Sequence, residues 1–441
     1  MAGSMDDTSL SRRHCLGAFA ATLALRNPAF AAAPKHHWKT VQAALDAFVR
    51  DRNAPGCVVA ICYGDEEPSY PAAGTLAFDS ARPFDADSIC RVYSMTKNVT
   101  RIATLLLVED GKLALDQPVT DYLPEFRNLR VAIDPTRGLD SRPAEKVMTM
   151  RHLITNSSGL GNWTPGSDSG EELHRLYRER GITPGNFGAG LKRAGFGPQA
   201  TSMEDMVRRA AELPLAYEPG TVLHYSIGFD VMALVIERAT GKPYGQFLRE
   251  RLWAPLKMPS TGFQVAPKDA ARLTTNYDAT ERGDMTPPDA TPDPRLPPKW
   301  AVADDRATSD WLKPPRLLAG GANLLSTARD FLRYTRMLQN DGALGRTRVM
   351  KVETAKLATG DINPPGIADP QDSGSRALMR GAPIIPPGMV GGGGSAATLF
   401  WFDPKRNGAV VFMAQVMVGG PARSPFQKPL FAAIDADVAA S

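Results

Sequence analysis

RVYSMTKNVT, residues 91–100, sets a serine three residues ahead of a lysine, Ser94 and Lys97, at the head of a long apolar run. Met95, Val99, Ile102, Ala103 and Leu106 share one helical face, and Leu105, Leu107 and Val108 widen it until little polar surface is left. A helix that is apolar on nearly all sides is buried, and Gly111 supplies its stop. The spacing therefore predicts a buried helix with Ser94 at its N-terminus and Lys97 one turn on, projecting from the same side. Burial disfavours the ammonium form of a lysine, a neutral amine can take the serine proton, and a helix N-terminus favours the oxyanion formed next. Such a pair activates a nucleophile without histidine.

Outward from this helix, residues 57–63 read as a buried strand and SYPAAGTLAF (69–78) as a second. Before them, Val41, Leu45, Phe48 and Val49 keep helical spacing up to Pro55-Gly56. At the far end, SAATLFWFDPKRNGAVVFMAQV (395–416) reads as two strands joined by a turn containing Asn407-Gly408, followed by a helical pattern through Leu430, Phe431, Ile434 and Val438. The expected fold is a mixed α/β (α+β) one: an antiparallel sheet built from the N- and C-terminal segments, flanked by helices, with an inserted, mainly helical region. The α/β part is expected over about 38–92 and 320–438, the helical part over about 93–319, within one domain spanning 34–441. Two Pro-rich stretches, 285–299 and 362–388, and the Gly-rich 163–200 carry little periodic pattern.

The 441 residues are 43% hydrophobic and 22% charged, a globular composition, and a chain of this length needs neither disulfides nor metals for stability. A formal charge of +4 without a run of basic residues gives no nucleic-acid footprint. No pair among Cys15, Cys57, Cys62 and Cys90 has CxxC spacing; the last three read as small buried hydrophobes, with a bridge from Cys90 to Cys57 or Cys62 open if the protein is exported. Export has its own signal. Residues 11–34 carry Arg12 and Arg13, a short apolar stretch from Cys15 to Leu25, and small residues around Ala29–Ala31. Residues 1–33 are thus read as a tag plus a twin-arginine secretion signal, which implies a periplasmic or secreted protein, or a cytoplasmic one if the segment is no signal. The apolar stretch is too short to span a bilayer, and no stable membrane anchor is expected.

A Ser-x-x-Lys occurs about once by chance in a chain of this composition, so context decides. No intact GxSxG is present; Gly393-Gly394-Ser395-Ala396-Ala397 lacks its last glycine. HExxH and GxxxxGK[ST] are absent, His152 reads as a packed structural residue, and neither a cofactor nor a metal is called for.

YSMTK, DQPVTDYLPEF (116–126), HLITNSSGLG (152–161), PGTVLHYSIGFDVMALVIERATGKP (219–243), GGANLLSTARDFLRY (320–334) and GGSAATLFWFDP (393–404) together resemble, in order and spacing, the serine β-lactamase and penicillin-binding-protein superfamily. The pattern is most similar to family VIII carboxylesterases, which look like class C β-lactamases, and it runs from about residue 38 to 435. The resemblance implies Ser94 as nucleophile, Lys97 as its partner, and Tyr225 as the tyrosine of a Tyr-x-Asn motif, able to relay a proton to the leaving group and later to activate water. Its alternative is a packed aromatic with Ser226 as an ordinary helix cap. Position 227 is Ile where β-lactamases carry Asn. Their Lys-Thr-Gly motif appears as Gly392-Gly393-Gly394, glycines that let backbone approach a substrate, and the next strand residue, Ser395, would offer its N–H with that of Ser94 as an oxyanion hole; a flexible loop before a strand is the other reading of the glycines. Loss of that Lys and Thr leaves an uncharged wall suited to small, neutral esters, unless Arg376 or Arg380 restores a positive charge. The expected activity is a carboxylesterase acting through an acyl-enzyme on Ser94, with a small-molecule ester as its substrate and the oligomeric state left open by the sequence. Amide hydrolysis, acyl transfer, and acylation without turnover are the rivals.

Overall fold

A computed structural model describes residues 36–137, 139–162, 171–183, 196–279, 296–367, 385–417 and 426–441. The elements that matter for the site are helix α1 (Lys39–Arg50), strands β1 (Gly56–Tyr63) and β2 (Ala72–Gly74), helices α2 (Met95–Glu109), α3 (Gly228–Thr240) and α4 (Ala328–Gln339), strands β3 (Val390–Gly394), β4 (Thr398–Asp403) and β5 (Gly408–Met413), and helix α5 (Gln427–Ala439). The five strands form one antiparallel sheet in the order β3-β4-β5-β1-β2, so the two ends of the chain do build it together.

Every residue of β1 is buried, because the strand is covered on both faces. Cys57, Val59, Ile61 and Tyr63 pack with Val41, Leu45 and Phe48 of α1 and with Leu430 and Ile434 of α5. Val58, Ala60 and Cys62 alternate to the other side, against Phe331 and Tyr334 of α4 and the apolar α2. The terminal helices are also joined by a polar contact. The Asp437 carboxylate accepts from the backbone N–H groups of Thr40 (3.1 Å) and Val41 (2.9 Å), which a helix start leaves without intrahelical partners. In the β4–β5 connection Asn407 takes a positive φ of 51°, which asparagine tolerates better than most residues.

Three expectations are corrected. The glycines 391–394 are not a loop: with Val390 they form the edge strand β3, Gly391 opposite Trp401 and Gly394 opposite Thr398. Ser395 is not a strand residue but opens the turn between β3 and β4. The strand expected over 69–78 shrinks to Ala72–Gly74. The inserted, mainly helical region also holds two strands, Asn276–Ala279 and Trp300–Asp304, which join Val416–Met417 in a three-stranded sheet. Cys57, Cys62 and Cys90 are free, buried thiols, so neither disulfide forms. The signal segment, Arg376 and Arg380 lie outside the described residues.

Candidate active site

The nucleophile candidate sits where a short strand turns into α2. Cys90–Arg91 pairs with Leu325–Ser326, and the wholly buried Arg91 anchors that strand from three sides. Its Nε donates to Asp304 (2.6 Å), its guanidinium to the Thr274 carbonyl (2.7 Å), and its backbone N–H to Gln415 Oε1 (3.0 Å). Tyr93 then takes a positive φ of 41°, rare for a bulky residue, and its hydroxyl accepts from Asn276 Nδ2 at 3.0 Å. The turn leaves Ser94 half-buried at the cap position of α2, while Met95 through Leu107 are buried, as the apolar pattern requires.

Tyr225 arrives on the loop ahead of α3. That loop is zipped to the HLITNSSGLG stretch: Gly220 N–H donates to the Ser157 carbonyl (2.7 Å), His224 N–H to that of Asn156 (2.6 Å), and Ile227 N–H to that of Gly161 (3.2 Å). Ser226 Oγ accepts from Gly228 N–H at 3.2 Å, but the cap position of α3 is Ile227, without a side-chain cap bond, and Tyr225 is 38% exposed rather than packed.

The three side chains meet. Ser94 Oγ and Tyr225 Oη are 2.5 Å apart. Lys97, 3% exposed, points its Nζ at Ser94 Oγ (3.4 Å) and the Gly321 carbonyl (2.6 Å), and the same nitrogen lies 4.4 Å from the centre of the Tyr225 ring. The hydroxyl thus has two proton-handling groups beside it, the phenol closer than the amine.

The glycine strand closes on this corner. A Cβ on Gly394 would lie 2.2 Å from the Val92 carbonyl oxygen, and Thr398 Oγ1 donates to that same oxygen at 3.5 Å, so the end of β3 abuts the residues leading into Ser94. Gly392 and Gly393 pair with Phe400 and Leu399 of β4. Ala396, next to Ser395, packs in one small cluster with Tyr93, Ala322, Ala303 and Met417, and Phe196 lies against it.

Ile227 is buried in the main core, so no side-chain amide stands where a β-lactamase has its Asn. His152 is committed to structure: its Nδ1 accepts from Thr149 N–H at 3.1 Å at the start of a short helix, and burial lowers its pKa to about 4. Among the described residues no cluster of His, Cys, Asp or Glu has the makings of a metal site, and no helix is long and apolar enough to cross a membrane.

Two residues beside the triad escaped the sequence reading. Asp230, on the first turn of α3, accepts from Gly321 N–H at 2.7 Å, and Thr100 Oγ1 donates to the Gly320 carbonyl at 2.6 Å. The available signal was an acidic residue inside the otherwise apolar run FDVMALVI.

Comparison with known proteins identifies the family. The β-lactamase family model matches residues 41–428. Protein Rv1367c of Mycobacterium tuberculosis is 31% identical over 289 residues, 65% of this chain and 63% of that protein, so the chain spans less than two thirds of that relative. Esterase EstB of Burkholderia gladioli is 31% identical over 308 residues, 70% of this chain and 71% of EstB. Among solved structures, EstCE1, described as a hydrolase with promiscuous acyltransferase activity, superposes with a TM-score of 0.63 at 23% identity, covering 90% of this chain and 97% of its own. With a match over most of its length and this fold, the chain belongs to the β-lactamase family.

Proposed function

We propose that the protein is a serine carboxylesterase acting on small, neutral carboxylic esters. The observation that carries the proposal is the meeting of Ser94 Oγ with Tyr225 Oη at 2.5 Å and Lys97 Nζ at 3.4 Å, beside a glycine strand that carries no charged side chain. Ser94 Oγ attacks the ester carbonyl and gives its proton to the Tyr225–Lys97 pair. The oxyanion is held by the backbone N–H groups of Ser94 and Ser395, with Gly392, Gly393 and Gly394 flanking the substrate. The alcohol leaves with the proton; water, activated by the same pair, releases the acid and restores Ser94. Similarity to Esterase EstB supports the ester as substrate. The absence of a lysine at the glycine motif and of an amide at residue 227 weighs against a penicillin or a D-Ala terminus, whose carboxylate needs a cation. Export through residues 11–34 belongs to the same proposal, and recovery of the full-length chain from the cytoplasm alone would remove it.

Short-chain p-nitrophenyl esters assayed beside a chromogenic cephalosporin test the proposal. The expected result is ester turnover well above cephalosporin turnover, and the reverse order would make amide chemistry the main activity. Product analysis with an added alcohol separates hydrolysis from acyl transfer, a question raised by the promiscuous acyltransferase activity of EstCE1.

A further inference from the structure

The GGANLL stretch (320–325) and the acidic residue of α3 meet directly behind the lysine. Asp230 is 3% exposed and has apolar neighbours along its own helix, Phe229, Val231 and Met232, all buried. A buried carboxylate is costly unless something meets its charge. What meets it here is residue 321: Gly321 N–H donates to Asp230 Oδ1 at 2.7 Å, while the Gly321 carbonyl accepts from Lys97 Nζ at 2.6 Å. The turn is moulded to both partners. A Cβ on Gly321 would lie 2.6 Å from both carboxylate oxygens, and one on Gly320 would lie 2.3 Å from the Phe229 carbonyl. On the opposite side, Thr100 Oγ1 donates to the Gly320 carbonyl and Thr96 Oγ1 accepts from Leu324 N–H at 3.1 Å. Residues 320–324 thus bridge α3 and α2, with a negative group at one end and the amine at the other.

We propose that Asp230 is a positioning residue for Lys97: through Gly321 it fixes the carbonyl that holds the amine, and its negative charge favours the positive charge that arises when the Tyr225–Lys97 pair takes the Ser94 proton. The proposal rests on Ser94 being the nucleophile. The ionisable groups around Asp230 are Lys97 on α2 and Tyr244, whose phenol burial pushes up and whose hydroxyl hydrogen-bonds Thr100 Oγ1 at 2.7 Å. Burial also raises the Asp230 pKa to about 6, with Lys97 acting in the opposite direction, so the carboxylate takes up its proton just below neutrality.

Asp230→Asn keeps the shape and an acceptor for Gly321 N–H but removes the charge. On p-nitrophenyl butyrate it is expected to lower kcat ten- to a hundredfold with KM within threefold, and to lack the decline in kcat/KM below about pH 6 that is expected of wild type. Its thermal midpoint at pH 7 should not fall, whereas a merely structural aspartate predicts lost stability together with lost activity. Wild-type kcat and pH profile in the variant would overturn the proposal. Should the variant not fold, the rate at which a fluorophosphonate labels wild-type Ser94 decides: a fall below about pH 6 supports the proposal, and a flat rate down to pH 4.5 refutes it. Wild type that is never labelled at Ser94 would instead refute the esterase mechanism, a separate outcome.

Discussion

Tyr225→Phe removes one oxygen atom and little else. The ring stays, 4.4 Å from Lys97 Nζ, while Ser94 Oγ loses the partner at 2.5 Å and keeps only the amine at 3.4 Å. If the phenol moves the proton in both half-reactions, the loss matches that of a positioned general acid–base, about 10²- to 10⁴-fold in kcat, or roughly 3–5 kcal/mol of transition-state stabilisation. KM should change little, because the hydroxyl faces the nucleophile. Stability should stay within about 0.5 kcal/mol, since the side chain is 38% exposed and no core packing is removed. Steady-state hydrolysis of p-nitrophenyl butyrate, with a thermal melt of the same sample, reads all three quantities. A variant within threefold of wild-type kcat would show that Lys97 alone handles the proton and that the short Ser94–Tyr225 contact is incidental to chemistry.

Three further outcomes follow from the packing. Because the Asp230 pKa is raised in the fold from 3.8 to about 6, the stability this group contributes is full below about pH 4 and lost as pH rises through 6. Asp230→Asn should therefore be more stable than wild type at pH 7 by up to roughly 3 kcal/mol and no more stable at pH 4; a melt series across that range showing a constant difference would contradict the linkage. Gly394→Ala drives a Cβ to 2.2 Å from the Val92 carbonyl and 2.6 Å from Thr398 Oγ1, so it should cost about 1–3 kcal/mol by denaturant titration and lower kcat, and neutral behaviour would mean that the edge strand does not abut the turn before Ser94. Cys57, Cys62 and Cys90 are buried, with the Cys90 thiol pushed up to about 12, so a disulfide-exchange reagent should find all three only after unfolding. Rapid labelling of native protein would count against this core.

The sequence disclosed the central strands because β-branched and aromatic residues crowd them, and α2 because a helix apolar all round has nowhere to go but inside. It also named Ser94, Lys97 and Tyr225, which the fold brings within reach of one another although 128 residues separate the second from the third. The edge strand β3 stayed hidden. Four of its five residues are glycine, which shows no alternation of its own, and the pairing with Trp401 and Phe402 organises it. The same blindness moved Ser395 from a strand to a turn. Val416–Met417 is two residues long, too short for any period to appear. Asp230 was visible as an acid among apolar neighbours, but its meaning depends on a glycine 91 positions away, a pairing that no local pattern encodes.

The most direct test of the mechanism is the position of the covalent intermediate. Wild-type protein quenched in acid during turnover of a slowly deacylated ester, then digested and mapped by mass, should carry close to one acyl group per chain, on the peptide containing Ser94. An acyl group on any other residue, or steady turnover with an unmodified Ser94 and full activity in Ser94→Ala, would contradict it.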